Sequence, residues 1–132
     1  MSNETGSYRR GSEWRKWDLH VHTPFSALNN GFGHEFDPYA REVLRKAVKQ
    51  DVAAIGLTDY FLIDGYTEMR KLLSDEDRLI DLLGNEIAQR ARMIAIFPNI
   101  ELRSSVLIAH EGQTARVNFH VLFDPAIEPS NH

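Results

Sequence analysis

The sequence predicts an α/β fold with a mainly parallel sheet and its helices outside. Three observations carry this. The stretch from Trp17 to Thr58 runs strand, loop, helix, strand, the order of a parallel βαβ unit. Its second strand, VAAIGLT at 52–58, is a short unbroken apolar run, the pattern of a strand covered on both faces. Residues capable of chemistry gather at strand ends, where α/β folds hold their ligands.

Each element has its own signal. Residues 1–13 are polar, with an Arg9–Arg10 pair, and read as a loose arm. Trp14 and Trp17 bracket Arg15 and Lys16, either as packing anchors at the edge of a first strand or as an aromatic and basic patch for nucleic acid. In Trp17–Thr23, Leu19 and Val21 alternate with Asp18, His20 and His22, and Pro24 stops the strand. The Gly- and Asn-containing segment 26–38 reads as a loop over a site. A helix is expected from Pro38, capped by Asp37, with Val43, Leu44, Ala47 and Val48 on one face and its end at Gln50–Asp51.

After the second strand, Tyr66–Leu73 predicts a short helix. Ser74 with Asp77 offers a capping-box start for another, whose stripe is Leu79, Ile80, Leu83, Ile87 and Ala91, weakened in the middle by Gly84. Residues 92–102 (RMIAIFPNIEL) predict a third strand with a bulge or kink at Pro98. Val106–Ala109 and Arg116–Phe123 flank Glu111–Gly112–Gln113 as a hairpin. Residues 125–132 form a patternless tail.

Composition narrows the function. The chain has 132 residues, 42% hydrophobic and 26% charged, and this suits one globular domain. Nineteen acidic and 15 basic side chains give a formal charge of −4, against a uniformly cationic nucleic-acid coat. Without cysteine there is no disulfide framework, thiol nucleophile or cysteine-bound zinc. No apolar run approaches the ~20 residues of a membrane span, and the polar start lacks the apolar core of a secretory signal. A cytoplasmic protein is expected.

His20 and His22 lie two apart on a strand, so both rings share a face and can meet one metal ion. Asp18 and Thr23 flank them as candidate hydrogen-bond partners. Asp59 ends the second strand, as a catalytic carboxylate or as the anchor of the following turn. Glu101 sits in an apolar run and needs a partner, a metal or an arginine. Arg103 is expected on the opposite face, which favours the metal. His120, in Val117–Phe123, reads alone as a hydrogen-bonded core histidine and with the others as a ligand. His34, in the loop, is a further ligand candidate; His110 and His132 read as surface residues.

The order of these motifs resembles the PHP family, the polymerase and histidinol phosphatase group of metal-dependent phosphoesterases. DLHVHT matches its first motif, LTDY its second, NIE its glycine-x-glutamate motif and the histidine of NFHVLF its next, over about Trp17 to Asp124. The opening GSEWRKWDLHVHTP is closer still to the N-terminal PHP module of TrlF-type proteins, which precedes an AAA-like or SMC-like ATPase. The resemblance implies a distorted (β/α)7 barrel holding two or three divalent ions, zinc, manganese or iron, with His20, His22, Glu101 and His120 as ligands. It departs at Tyr60, where the family has histidine, and in the absence of the later motifs, a further histidine and a closing Asp-x-His pair. About the first half of such a barrel is expected, since related α/β barrels run to ~200–250 residues.

The implied chemistry is phosphoester hydrolysis by metal-activated water, on a nucleic acid, a nucleotide or a small phosphate ester. Asp59 would orient the nucleophile, and Arg103, or Arg15 with Lys16, would contact phosphate. Two other readings stand beside it. One is a degenerate PHP scaffold docking an ATPase partner; the other is a nucleic-acid-binding module built on Trp14–Trp17.

Overall fold

The computed structural model describes residues 14–25 and 35–126, with His110 by its backbone alone. The expected N-terminal arm, most of the loop after the first strand, His34, and the tail beyond residue 126 lie outside the described residues.

Four strands form one mixed, curled sheet in the order β1-β2-β3-β4: β1 Lys16–His22, β2 Val52–Tyr60, β3 Ala95–His110 and β4 Gln113–Leu122. β1, β2 and β3 are parallel neighbours, and β4 returns antiparallel to β3. The helices are α1 Phe36–Lys49, α2 Asp64–Ser74, α3 Glu76–Leu83 and α4 Asn85–Ala91. The α/β class and the parallel crossovers are as the sequence predicts; the hairpin makes the sheet mixed. No helix among the described residues is long and apolar enough to cross a membrane.

One core joins the helices to one face of the sheet. Leu44, Ala47 and Val48 of α1, Met69 and Leu72 of α2, Leu79 and Leu83 of α3 and Ala88 and Ala91 of α4 pack with Ile55, Leu57 and Ile96. Alternation along β2 and β3 leaves Thr58, Tyr60, Asn99 and Glu101 on the other face.

Several local expectations need correction. Helix α1 starts at Phe36 and is preceded by Glu35, which makes no side-chain cap; Asp37 lies in the first turn and pairs instead with Arg78 of α3. Asp51, at φ 53°, ends α1 in the left-handed conformation, its N–H reaching Val48 O. Asp75, not Ser74, caps α3, accepting from the Arg78 N–H at 3.1 Å, while Ser74 Oγ bonds back to Arg70 O. Gly84 divides the expected single helix in two: at φ 81° and ψ 153° it occupies backbone space essentially closed to other residues.

Pro98 produces no bulge against β2. The β2–β3 register is unbroken from Ala54↔Ala95 to Tyr60↔Glu101, and Pro98 O accepts from Phe123 N. The irregularity comes later, between Arg103 and Leu107, inside one long strand that absorbs the two expected pieces. Glu111 and Gly112, both at positive φ, form the two-residue hairpin turn. Trp14 is no packing anchor: it is almost fully exposed, whereas Trp17 stacks on Phe97. Arg15 and Lys16 reach Asp51 and Gln50 in the turn before β2.

Candidate metal centre

The site is built around an irregularity in β1. Asp18 pairs with Ile55 and Val21 with Leu57, so β1 spends one residue more than β2 over this stretch. The bulge turns the Leu19 carbonyl over Gly56. A Cβ on Gly56 would stand 2.4 Å from Leu19 O, so only glycine fits there. That carbonyl is caught by Asn99 Nδ2 at 2.8 Å and Thr58 Oγ1 at 3.3 Å. The strand is thereby re-aimed just where it delivers its histidines.

His20 and His22 then converge with Glu101. Their Nε2 atoms are 3.1 Å apart and lie 3.5 and 3.3 Å from Glu101 Oε2. Glu101 is 2% exposed; its Oε1 accepts from Asn118 Nδ2 at 2.6 Å, while its Oε2 is buried and accepts no hydrogen bond among the described residues. A buried carboxylate oxygen left without a donor is costly, and the groups nearest to it are the two imidazole nitrogens. Two of the three edges, those from Glu101 Oε2, also match the donor set, and the edge between the two histidines is about 0.2 Å shorter. Ligands ~2.0–2.2 Å from a tetrahedral zinc ion lie about 3.3–3.6 Å apart. His20, His22 and Glu101 therefore fit a divalent metal.

Around this triangle the packing is specific. Tyr60 stacks on the His22 ring, centroids 5.4 Å apart, and the Arg103 guanidinium lies over the Tyr60 ring, 5.9 Å from its centre. Burial, then the Glu101 carboxylate, pushes the Tyr60 hydroxyl above its ordinary range. Arg103 shares the face of Glu101, contrary to expectation, because residues two apart on a strand point the same way. Its Nε reaches Asn118 Oδ1 at 3.4 Å, placing an exposed guanidinium beside the cluster.

His120 pairs across the sheet with Glu101, and its ring stands 4.4 Å from that of His20. Its Nδ1 faces Asn99 Nδ2 at 3.3 Å. It lies beside the three convergent ligand atoms but is not one of the group.

Asp59 takes the anchoring role. Its carboxylate accepts from Thr23 Oγ1 at 2.8 Å and Thr23 N at 3.2 Å, and from the Gly65 backbone, on the helix side of β2 and 1% exposed. A Cβ on Gly65 would fall 2.5 Å from Asp59 Oδ2 and 2.2 Å from Thr23 Oγ1, so glycine is required for α2 to approach. The clamp fixes Thr23, the residue after His22. Burial raises the Asp59 carboxyl above its ordinary range, against the bonds from Thr23 and Gly65 and the charge of His22, which lower it.

Sequence reasoning missed Gly56, Thr58, Asn99 and Asn118. Asn99 sits in the NIE motif and Asn118 two residues before His120, so their strand parity was available as a signal. Fold and site together define an α/β protein with a candidate histidine–carboxylate metal centre on the open face of its sheet. Comparison with protein-family models gives no match, and searches of curated proteins and of solved structures likewise return none.

Proposed function

We propose that this chain is a metal-dependent phosphoesterase domain, the first half of a distorted (β/α)7 barrel, whose metal is held by His20, His22 and Glu101. The observation that carries the metal reading is the orphaned, buried Glu101 Oε2 beside two imidazole nitrogens. The phosphoester reading rests on the order of the motifs DLHVHT, LTDY, NIE and NFHVLF, and is supported by Arg103 on the same face. A bound divalent ion supplies Lewis acidity and a more acidic water. The protein's own residues do the rest. Asn118 fixes one oxygen of Glu101, Tyr60 holds the His22 ring, and the Asp59–Thr23 clamp sets the end of β1. Arg103 offers paired N–H donors to phosphate oxygens.

The test is turnover of bis(p-nitrophenyl) phosphate by protein of measured metal content. Activity is expected to disappear with EDTA, return with zinc, manganese or iron, and be lost in His22→Ala. Metal-loaded protein without hydrolysis would instead favour the scaffold reading, to which Tyr60 in the histidine position gives its specific support.

A further inference from the structure

Asn99 decides how His120 presents itself to the site. Asn99 is 1% exposed, and its amide orientation is fixed because Nδ2 lies 2.8 Å from Leu19 O, a group that only accepts. The same nitrogen faces Thr58 Oγ1 at 2.9 Å and His120 Nδ1 at 3.3 Å. The two amide hydrogens go to the nearer Leu19 O and Thr58 Oγ1, and the amide nitrogen cannot accept, so a proton on His120 Nδ1 would point at a group unable to receive it. A neutral His120 ring therefore carries its proton on Nε2. A protonated ring nitrogen has no lone pair for a metal.

We infer that His120 is not a ligand of this centre but a hydrogen-bond donor beside it, its Nε2–H serving an anionic oxygen of a phosphate group held at the cluster. The geometry agrees: His120 pairs with Glu101 across the sheet and lies against the His20 ring, yet stays outside the convergent triangle. With Arg103 on the same face, it gives the site a second donor for the phosphoryl group. Asn99 is then a positioning residue, coupling the Leu19 bulge to the tautomer of His120.

The inference rests on the metal reading for its ligand but not for its tautomer, and the experiment separates the two. Long-range 1H–15N NMR of the histidine rings reads the tautomer directly, before and after adding zinc. His120 is expected in the Nε2–H form throughout, while the rings of His20 and His22 respond to zinc. In parallel, zinc and inorganic phosphate binding are measured for the wild-type chain and for His120→Ala, a substitution at an exposed position whose fold is checked by circular dichroism. Zinc affinity should change by less than about twofold, and phosphate binding to the zinc-loaded protein should weaken by about two- to tenfold, the worth of one hydrogen bond. A proton on Nδ1, loss of the Nε2 proton on adding zinc, a loss of about tenfold or more in zinc affinity, or unchanged phosphate binding would each overturn it. Failure of the wild-type chain to bind zinc would overturn the metal reading and leave the tautomer result standing.

Discussion

Strands β2 and β4 lie one strand apart in the same sheet, yet their surroundings are opposite. Every residue of β2 except Ala53 is buried, whereas every residue of β4 except the half-buried Val117 is exposed. Both contain apolar residues, so composition does not separate them. What differs is what lies above and below. The helices cover one face of β2, and on the other the Leu19 carbonyl lies against Gly56, Asn99 against Thr58 and the His22 ring against Tyr60. β4 and the outer part of β3 have neither, and Phe119, Val106 and Leu107 remain more than half exposed. The metal candidates lie where these two regimes meet, buried enough to hold Glu101 rigidly and open enough for His20 to face solvent.

This contrast has measurable consequences. The largest belongs to the helix-backed side: Leu72, fully buried in α2, should cost about 2–5 kcal/mol of stability when replaced by alanine, read from urea unfolding. Next is Thr23→Val, which strips the hydroxyl donor shared by both oxygens of the buried Asp59 carboxylate, leaves the backbone bond, and should cost about 1–3 kcal/mol by the same measurement. It also changes the pH dependence. The Asp59 carboxyl is raised by folding, so the folded chain holds that proton more tightly than the unfolded one. Its contribution is complete below the ordinary value of 3.8 and is lost as pH rises through the folded value. Removing the Thr23 side-chain bond raises the folded value further, so Thr23→Val should lose stability over a wider acidic window in a pH series of thermal melts. At the small end, Phe119→Thr on the open ribbon should leave stability within about 0.5 kcal/mol. A large loss there would mean that the ribbon is covered, and the contrast with β2 would fail.

Much of this was legible in sequence for a physical reason: the periodicities of three and a half and of two report burial directly. The helix on Leu44 and Val48 follows from it; VAAIGLT was read as an unbroken apolar run, and the hairpin from its turn at Glu111–Gly112, its strand β4 being exposed except at Val117. His20 and His22 were found because residues two apart on a strand share a face, and Glu101 because an apolar run does not accept a carboxylate without a partner. The extra residue in β1 was not visible, since a bulge depends on the register between strands far apart in the chain. Gly56 shows the difficulty: its reason is a carbonyl 37 residues earlier, at Leu19. Asp59 was ambiguous for a related reason, because its clamp to Thr23 and Gly65 joins three segments. The capping of α3 by Asp75 and not Ser74 turned on a shift of one residue, which propensity does not resolve.

The central claim is that His20, His22 and Glu101 share one cation. Anomalous diffraction from zinc-soaked crystals tests it most directly. The account predicts a peak about 2.0–2.2 Å from His20 Nε2, His22 Nε2 and Glu101 Oε2 together. Fully soaked crystals with no peak between these three atoms, or zinc bound with Glu101 Oε2 left out, would contradict it.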